Sequence, residues 1–162
     1  METHVFSARY AGIYEHSPWV AERVALCVTE DDDTETLARM MADCVDNAAP
    51  ELQLELICAH PDLAGKAQLA GKLTKDSTLE QASAGLDHCS PEEYERFQAL
   101  NTAYRDKFGF PFVMAVRGRD RHEILEAFEA RLENDYDLEF ETALIEIHKI
   151  ARLRLDAMGA PK

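Results

Sequence analysis

An all-α structure is predicted for this chain: a single-domain helical bundle of about seven to nine helices, with one short extended segment near residues 110–116. Residues that suit helix starts, a serine before a proline or a run of acids, recur along the chain. Apolar residues with helical spacing follow them, and only one short run favours β-structure. The 162 residues are enough for one domain, so we expect residues 1–162 to form it.

Three helices are predicted in the first half of the chain. Ser17 before Pro18 predicts a helix through about Val28. The acids at 31–33 begin a second helix, whose apolar face comprises Leu37, Met40, Met41, Cys44 and Val45. A third helix, over about 52–59, must end near His60, because a proline disfavours helical geometry in the residue before it. Residues 62–74 then predict a loop with one short helical turn.

Five further elements are predicted in the second half. Ser77 begins a short helix that Gly85 can close, and Ser90 begins a long one with the pattern of a capping box. That long helix carries the clearest apolar stripe, which comprises Tyr94, Phe97, Leu100, Tyr104 and Phe108. Residues 110–116 are too few for a buried helix and include Pro111, so we predict an extended segment. Helices over about 120–132 and 137–158 complete the chain.

Composition narrows the possible partners and location. Acidic residues outnumber basic ones 31 to 17, which argues against nucleic acid or an anionic membrane as a partner, because phosphate binding needs a basic face. No apolar run approaches the ~20 residues that span a bilayer. Neither a secretion signal nor a peroxisomal address is present. The four cysteines form no C-x-x-C pair, which is typical of free thiols in a reducing compartment. We therefore expect a cytoplasmic protein.

His60 is the first candidate for chemistry, since it lies at a predicted helix end directly before a proline. Unpaired carbonyls at such an end favour the protonated imidazole, which suits a proton donor that works near neutral pH. The alternative is a histidine that only caps the helix.

Two other stretches could face a ligand. Ser77 and Glu80 fit a capping box, which leaves Gln81 unexplained, and a Glu-Gln pair beside a glycine-bearing loop could also contact a ligand. In the run 110–116, backbone groups that no sheet uses could bind a planar, amide-rich ligand. The alternative for this run is that it only fills the core.

Arg154 is the sharpest single signal. At about 100° per residue, one face of the last helix comprises Phe140, Leu144, Ile147, Ala151 and Met158. Arg154 falls within this face, whereas Arg152 points outside it. A buried guanidinium needs an acid or an anionic ligand as its partner. A structural salt bridge, or a side chain that extends past the core to water, is equally compatible with the pattern.

Familiar cofactor and metal motifs are absent from the sequence. It has no glycine-rich phosphate loop, no H-E-x-x-H and no G-x-S-x-G, and its six histidines lack recognised zinc spacings. We therefore expect a site without metal or cofactor.

Four motifs, in order, carry a resemblance to a known family. They are HPDLAGK at 60–66, SxxEQxxAGL at 77–86, LNxxYRDKFGFPFVMAV at 100–116 and KIARLRL at 149–155. Together they resemble the 2-oxo-4-hydroxy-4-carboxy-5-ureidoimidazoline (OHCU) decarboxylases. The resemblance implies an all-helical fold and conversion of the ureidoimidazoline that follows urate oxidation into (S)-allantoin and CO2.

The resemblance also implies roles for individual residues. His60 matches the family's catalytic proton donor, and Pro61 matches a substrate contact. The substrate-binding Ser-x-x-Glu-Gln segment comprises Ser77, Thr78, Leu79, Glu80 and Gln81, with Glu80 closest to the chemistry. Backbone contacts after FGFP are implied for Phe112, Val113, Met114, Ala115 and Val116. The family's C-terminal helix supplies an arginine from an Arg-Leu pair, and the facing of the helix selects Arg154.

The hypothesis is that His60, Glu80 and Arg154 come together in one pocket for a small ureidoimidazoline, in a protein expected to be a homodimer. Two other interpretations stay open. One is a hydrolase of a ureide such as allantoin. The other is a non-catalytic helical interaction module, in which Arg154 forms a buried ion pair and Glu80 only caps a helix.

Overall fold

Helices account for nearly all the regular structure in residues 2–64 and 73–158, which are the residues that the computed structural model describes. Within these two ranges there are eight α-helices and a 3₁₀ turn at Leu86–His88. The helices are α1 (Thr3–Tyr10), α2 (Trp19–Val24), α3 (Thr34–Asp46), α4 (Pro50–Cys58), α5 (Lys75–Ser83), α6 (Pro91–Phe108), α7 (Arg121–Leu132) and α8 (Tyr136–Ala157). No residue in the described ranges pairs into a sheet, and none of their helices is long and apolar enough to cross a membrane. The predicted all-α class is confirmed. The predicted loop at 62–74 lies mainly outside the described residues.

Contacts along the chain divide it into two compact units. Unit 1 comprises residues 1–59 and 147–162, and unit 2 comprises residues 60–146. Helix α8 therefore contributes residues 136–146 to unit 2 and residues 147–157 to unit 1. The single domain over 1–162 stays a prediction.

Unit 1 is built from α1 to α4 and the second half of α8. Helix α2 packs against both α1 and α3. Helix α3 begins as predicted at the acidic run, where the Asp33 carboxylate accepts the Thr36 N–H at 2.7 Å, a hydrogen bond that lowers the pKa of Asp33. The fully buried side chains of this unit include Met41, Val45, Leu56, Ile57 and Leu155.

The start of the chain contains one helix that the sequence did not predict, α1, and the prediction for α2 is wrong in its length and its cap. Helix α1 was not expected, because it buries only Phe6 and Tyr10 and so lacks a sustained apolar stripe. Helix α2 is shorter than predicted, since it ends at Val24 and not near Val28. Ser17 does not cap it, because the Ser17 hydroxyl donates instead to the carbonyl of Glu15 at 2.9 Å.

Unit 2 contains α5 to α7 and the first half of α8, and α6 packs against α7. The predicted capping box at Ser90 and Glu93 is present at the start of α6, which ends at Gly109 with φ 77°. Only glycine adopts this left-handed conformation without strain. The buried face of α6 consists of Phe97, Asn101, Tyr104 and Phe108. A polar residue, Asn101, thus occupies the buried position that the apolar stripe assigned to Leu100.

Candidate active site

His60 directly follows α4, whose C-cap is Ala59, as Pro61 predicts. Its side chain is buried, with a residue exposure of 6%. His60 is also the first residue of unit 2. The sequence therefore placed this imidazole correctly at a helix end, and the fold adds that it is shielded from water.

The chain after His60 is held tightly by α6. Ala64 has a φ of 51°, a left-handed conformation that is uncommon for a residue with a side chain. Three side chains spaced along one face of α6 donate hydrogen bonds to this stretch: Gln98 to the Ala64 carbonyl at 2.7 Å, Asn101 to the Leu63 carbonyl at 3.0 Å and Arg105 to the Asp62 carboxylate at 3.0 Å. These bonds hold residues 62–64 in a conformation that the chain alone would not favour.

Gln81 connects residues 62–64 to helix α5 by two hydrogen bonds. Its side-chain carbonyl accepts the Ala64 N–H at 3.0 Å, and its amide nitrogen donates to the Asp62 carbonyl at 3.2 Å. Gln81 is 2% exposed. This contact explains the residue that the capping pattern left over, and it links the helix bearing Glu80 to the loop that follows His60.

The capping-box interpretation of Ser77 and Glu80 is wrong. Helix α5 begins at Lys75, and its N-cap is Thr74, whose hydroxyl accepts the Ser77 N–H at 3.2 Å. Ser77 therefore lies inside the first turn, where it is 4% exposed. Glu80 lies one turn further on and is half-buried, while Thr78 and Leu79 are exposed. Helix capping accordingly does not account for the side chain of Glu80.

Residues 110–116, for which an extended segment is predicted, belong to no helix or strand and are all buried. Two of their backbone groups are bound by side chains from neighbouring helices. Arg131 donates to the Val113 carbonyl at 2.7 Å, and the Ala115 N–H donates to the Glu146 carboxylate at 3.2 Å. The segment thus obtains from side chains some of the hydrogen bonds that a partner strand would supply.

Arg131 belongs to a buried network that braces this segment. Its guanidinium lies 4.3 Å from the ring centroid of Phe112, and its Nε donates to Glu139 at 2.8 Å. Glu139 is fully buried and also accepts hydrogen bonds from Tyr104 at 2.6 Å and Asn134 at 2.9 Å. Burial, and then the bond to Glu139, raise the pKa of Tyr104, so its phenol stays protonated and donates.

Arg154 lies in unit 1 and is buried, as the facing of its helix predicts. Its Nη2 donates to the Glu15 carboxylate at 3.0 Å, and its Nη1 donates to the Gly12 carbonyl at 3.1 Å. Arg152, in the competing Arg-Leu pair, is exposed and bonds to Asp156 one turn along the helix. The sequence left open an acid or an anionic ligand as the partner of Arg154, and the structure supplies an acid, Glu15.

The site residues predicted from sequence fall in both units. His60, Pro61, the segment from Ser77 to Gln81 and residues 112–116 belong to unit 2, whereas Arg154 belongs to unit 1. The meeting of His60, Glu80 and Arg154 in one pocket stays a prediction. The end of the HPDLAGK motif lies outside the described residues.

Sequence reasoning missed the buried polar residues that support these groups. They are Glu15, Asn101, Arg131, Glu139 and Glu146. Glu139 and Glu146 lie seven residues apart on α8, on the same helix face as the buried Ala143 and Ile150. This helical spacing could have indicated from the sequence that both acids are buried. Within the part of the chain that the structure describes, no group of three or more His, Cys, Asp and Glu is placed to hold a metal ion.

Comparison with known proteins identifies the family. The sequence model of OHCU decarboxylase matches residues 1–156. The chain belongs to the OHCU decarboxylase family. A relative, the 2-oxo-4-hydroxy-4-carboxy-5-ureidoimidazoline decarboxylase of Halalkalicoccus jeotgali, is 45% identical over 150 residues, which cover 93% of this chain and 82% of that protein. The uric acid degradation bifunctional protein PucL of Bacillus subtilis is 43% identical over 155 residues, 96% of this chain and 30% of that one.

Solved structures in the family have a similar fold. The crystal structure of (S)-allantoin synthase has a TM-score of 0.77 at 34% identity, and the match covers 97% of this chain and 50% of that one. OHCU decarboxylase crystallised in the presence of (S)-allantoin has a TM-score of 0.75 over 94% of this chain and 98% of that one. Its identity is 23%, so this match bears on the fold alone. The resemblance inferred from four motifs is thus confirmed as family membership.

Proposed function

We propose that this chain catalyses the decarboxylation of 2-oxo-4-hydroxy-4-carboxy-5-ureidoimidazoline to (S)-allantoin and CO2 in urate breakdown, without a cofactor. The observation that carries the proposal is the match of the OHCU decarboxylase family to residues 1–156. The substrate is a small molecule, and we expect the reaction to take place in the cytoplasm.

The chemistry requires an electron sink and a directed proton. Loss of CO2 leaves an electron pair on the ring carbon, and the C=N and carbonyl groups of the substrate can accept it, which is why no pyridoxal or thiamine group is needed. A proton must then reach that carbon from one face only, because the product has a single configuration.

His60 and Glu80 are assigned to proton transfer. We expect them to share protons around the substrate hydroxyl, with His60 protonating the product carbon or assisting that step. The burial of His60 supports this role, because proton transfer is better directed where water is excluded. The bonds of Gln81 to the Asp62 carbonyl and Ala64 N–H support it as well, since they hold the chain after His60 against the helix that carries Glu80.

Pro61, the residues Ser77, Thr78, Leu79 and Gln81, and the backbone of 112–116 are assigned to substrate binding. In an extended chain, the N–H and C=O groups of successive residues point to opposite edges. The groups of Val113 and Ala115 that bind Arg131 and Glu146 lie on one edge. The N–H and C=O of Met114 should therefore face the other edge, where an amide-rich ring and ureido arm could bind them.

Arg154 is assigned to a substrate carbonyl or to the ureido arm. Holding the departing carboxylate more tightly before it leaves than afterwards would stabilise the ground state and slow the step. A guanidinium beside a group on which negative charge builds would instead stabilise the transition state.

The product's optical activity tests the proposal. The substrate decays by itself to racemic allantoin, so freshly generated substrate should be followed by circular dichroism with and without the protein. We expect faster decay and accumulation of the S enantiomer. Racemic product at an unchanged rate would contradict the function, and consumption of allantoin would indicate a ureide hydrolase.

The role of His60 is tested by His60→Asn. General acid–base catalysis is typically worth ~10²–10⁴-fold, so we expect turnover to fall by about that factor while the far-ultraviolet spectrum and melting temperature stay unchanged. A variant with near-normal turnover would remove His60 from the proposed mechanism.

A homodimer is proposed as the assembly. Support comes from apolar side chains of α8 that are nearly half exposed, namely Tyr136, Leu138 and Ile145. Light scattering after size exclusion should give twice the chain's 18.3 kDa, and a monomeric mass would contradict this part of the proposal.

A further inference from the structure

Glu15 lies in the loop between α1 and α2 and contacts Arg154 on the last helix. We propose that Glu15 is a positioning residue, which fixes the orientation of the Arg154 guanidinium for the reaction. This inference rests on the proposed function, in which Arg154 touches the substrate. Glu15 acts through Arg154 and is not itself expected to touch the substrate.

The burial of the pair is the first argument. The side chains of Arg154 and Glu15 are 5% and 2% exposed, and Nη2 and Oε2 lie 3.0 Å apart. A buried guanidinium stays charged and requires a compensating acid, and the Glu15 carboxylate supplies one. The Gly12 carbonyl accepts a hydrogen bond from Nη1 at 3.1 Å, so the carbonyl of Gly12 and the carboxylate of Glu15 each bind one nitrogen of the planar guanidinium. Two such contacts define the orientation of the guanidinium as well as its position.

The shape of the loop is the second argument. His16 has a φ of 47°, a left-handed conformation that is uncommon outside glycine. The Ser17 hydroxyl donates to the Glu15 carbonyl at 2.9 Å. The chain around Glu15 is therefore held in one unusual conformation, as is typical of segments that orient a side chain for function.

A second hydrogen-bonded contact connects the loop between α1 and α2 to helix α8. The Tyr14 hydroxyl lies 2.8 Å from Nδ1 of His148, and Nε2 of His148 lies 2.9 Å from Asp46. Burial raises the pKa of Tyr14, so its phenol keeps its proton and shares a hydrogen bond with Nδ1, while Nε2 shares one with the Asp46 carboxylate. His148 and Arg154 are six residues apart, which is about 9 Å along a helix. Two adjacent loop residues, Tyr14 and Glu15, thus bind α8 at two separate points.

Kinetics of Glu15→Gln give the first test. The amide has nearly the same shape but carries no charge, so the guanidinium keeps at most a weaker, neutral hydrogen bond at this position. A misplacement of about 1 Å can cost roughly 10²-fold in rate, and we expect a loss of this order in kcat with a smaller change in KM. Asp156→Asn is the matched control, because it removes the carboxylate partner of the exposed Arg152 on the same helix. This control should keep wild-type kcat.

Guanidinium rescue gives the second test, and its first arm, Arg154→Ala, retains Glu15. Arg154→Ala should lose activity, and low millimolar guanidinium chloride should restore part of it by binding beside Glu15. The same salt should fail to rescue the double variant Arg154→Ala/Glu15→Gln, which contains neither charge of the pair. It should still rescue Arg154→Ala/Asp156→Asn.

The outcomes separate this inference from the proposed function. Wild-type kcat in Glu15→Gln contradicts the positioning role, as does rescue that is equal in both backgrounds or absent from both. Each of these results leaves the decarboxylase activity of the wild-type protein in place. A wild-type protein that does not accelerate decay of the substrate refutes the proposed function, and the inference with it.

Discussion

Two buried arginines, one in each unit, are paired with carboxylates in a similar way. Arg131 in unit 2 bonds to Glu139, and Arg154 in unit 1 bonds to Glu15. Each arginine also donates to a main-chain carbonyl. The surroundings of the two carboxylates differ. Glu139 also binds Tyr104 and Asn134, so three helices and the turn between α7 and α8 meet at one acid, whereas Glu15 lies in a short loop that it connects to one helix.

The comparison teaches that the same ion pair can serve two purposes. Where several elements share the carboxylate, as at Glu139, the pair holds the packing of helices together. Where a loop presents the carboxylate, as at Glu15, we expect the pair chiefly to set the direction of a side chain. We therefore expect substitutions in the Glu139 network of unit 2 to reduce stability most. We expect substitutions at Glu15 to reduce turnover more than stability.

The largest effect on stability is expected for Glu139→Ala. It leaves the charge of Arg131 buried and removes the acceptor of three side chains, and breaking a buried pair in this way costs about 3–5 kcal/mol. Urea unfolding followed by circular dichroism measures this loss. A loss below about 1 kcal/mol would show that the network does not hold the helices together. It would also contradict the difference in role that we infer between Glu139 and Glu15.

The two buried tyrosines allow a matched comparison. The Tyr104 hydroxyl donates to the Glu139 carboxylate, and the Tyr14 hydroxyl shares a hydrogen bond with the His148 imidazole. A hydrogen bond to a charged group contributes about 1.5–3 kcal/mol and a neutral one about 0.5–1.5 kcal/mol, so Tyr104→Phe should destabilise more than Tyr14→Phe. The same urea titration compares the two variants. An equal or larger loss of unfolding free energy in Tyr14→Phe would contradict the expectation that the Glu139 network contributes more to stability.

Alkaline pH should destabilise the protein through the same two residues. Burial raises the pKa of both Tyr14 and Tyr104, so above pH ~10 the unfolded chain loses protons that the folded protein keeps. Stability should be unaffected by these groups below that pH and should fall as pH rises above it, by about 1.4 kcal/mol per pH unit for each tyrosine. Unfolding free energies at pH 9 to 11 test this. A Tyr14→Phe/Tyr104→Phe variant with an unchanged slope would contradict it.

The smallest effect is expected for Arg152→Ala. Arg152 pairs with Asp156 at the surface of α8, where such a pair is worth about 0.3–0.5 kcal/mol. We expect this small change in stability and wild-type turnover, in contrast to Arg154→Ala. A large loss of turnover in Arg152→Ala would mean that the wrong Arg-Leu pair was chosen.

Most helices could be predicted because their signals are local. The acids at 31–33, the Ser90 capping box and Gly109 act on residues within one turn, so α3 and α6 begin and end where the sequence indicates. The same reasoning failed at the starts of α2 and α5. Thr74 and not Ser77 caps α5, and Ser17 turns back to Glu15, because the path of the preceding chain decides which hydroxyl reaches the free N–H groups.

The sequence by itself determined the fold class, the family and the burial of Arg154, since helical periodicity and ordered motifs can be recognised along the chain. Only the tertiary structure decided which acid meets that arginine. Glu15 lies 139 residues away in a loop without periodicity, and no local pattern marks it as a partner. A buried charge shows that a partner must exist, but the identity of that partner depends on which distant segment the fold brings to it.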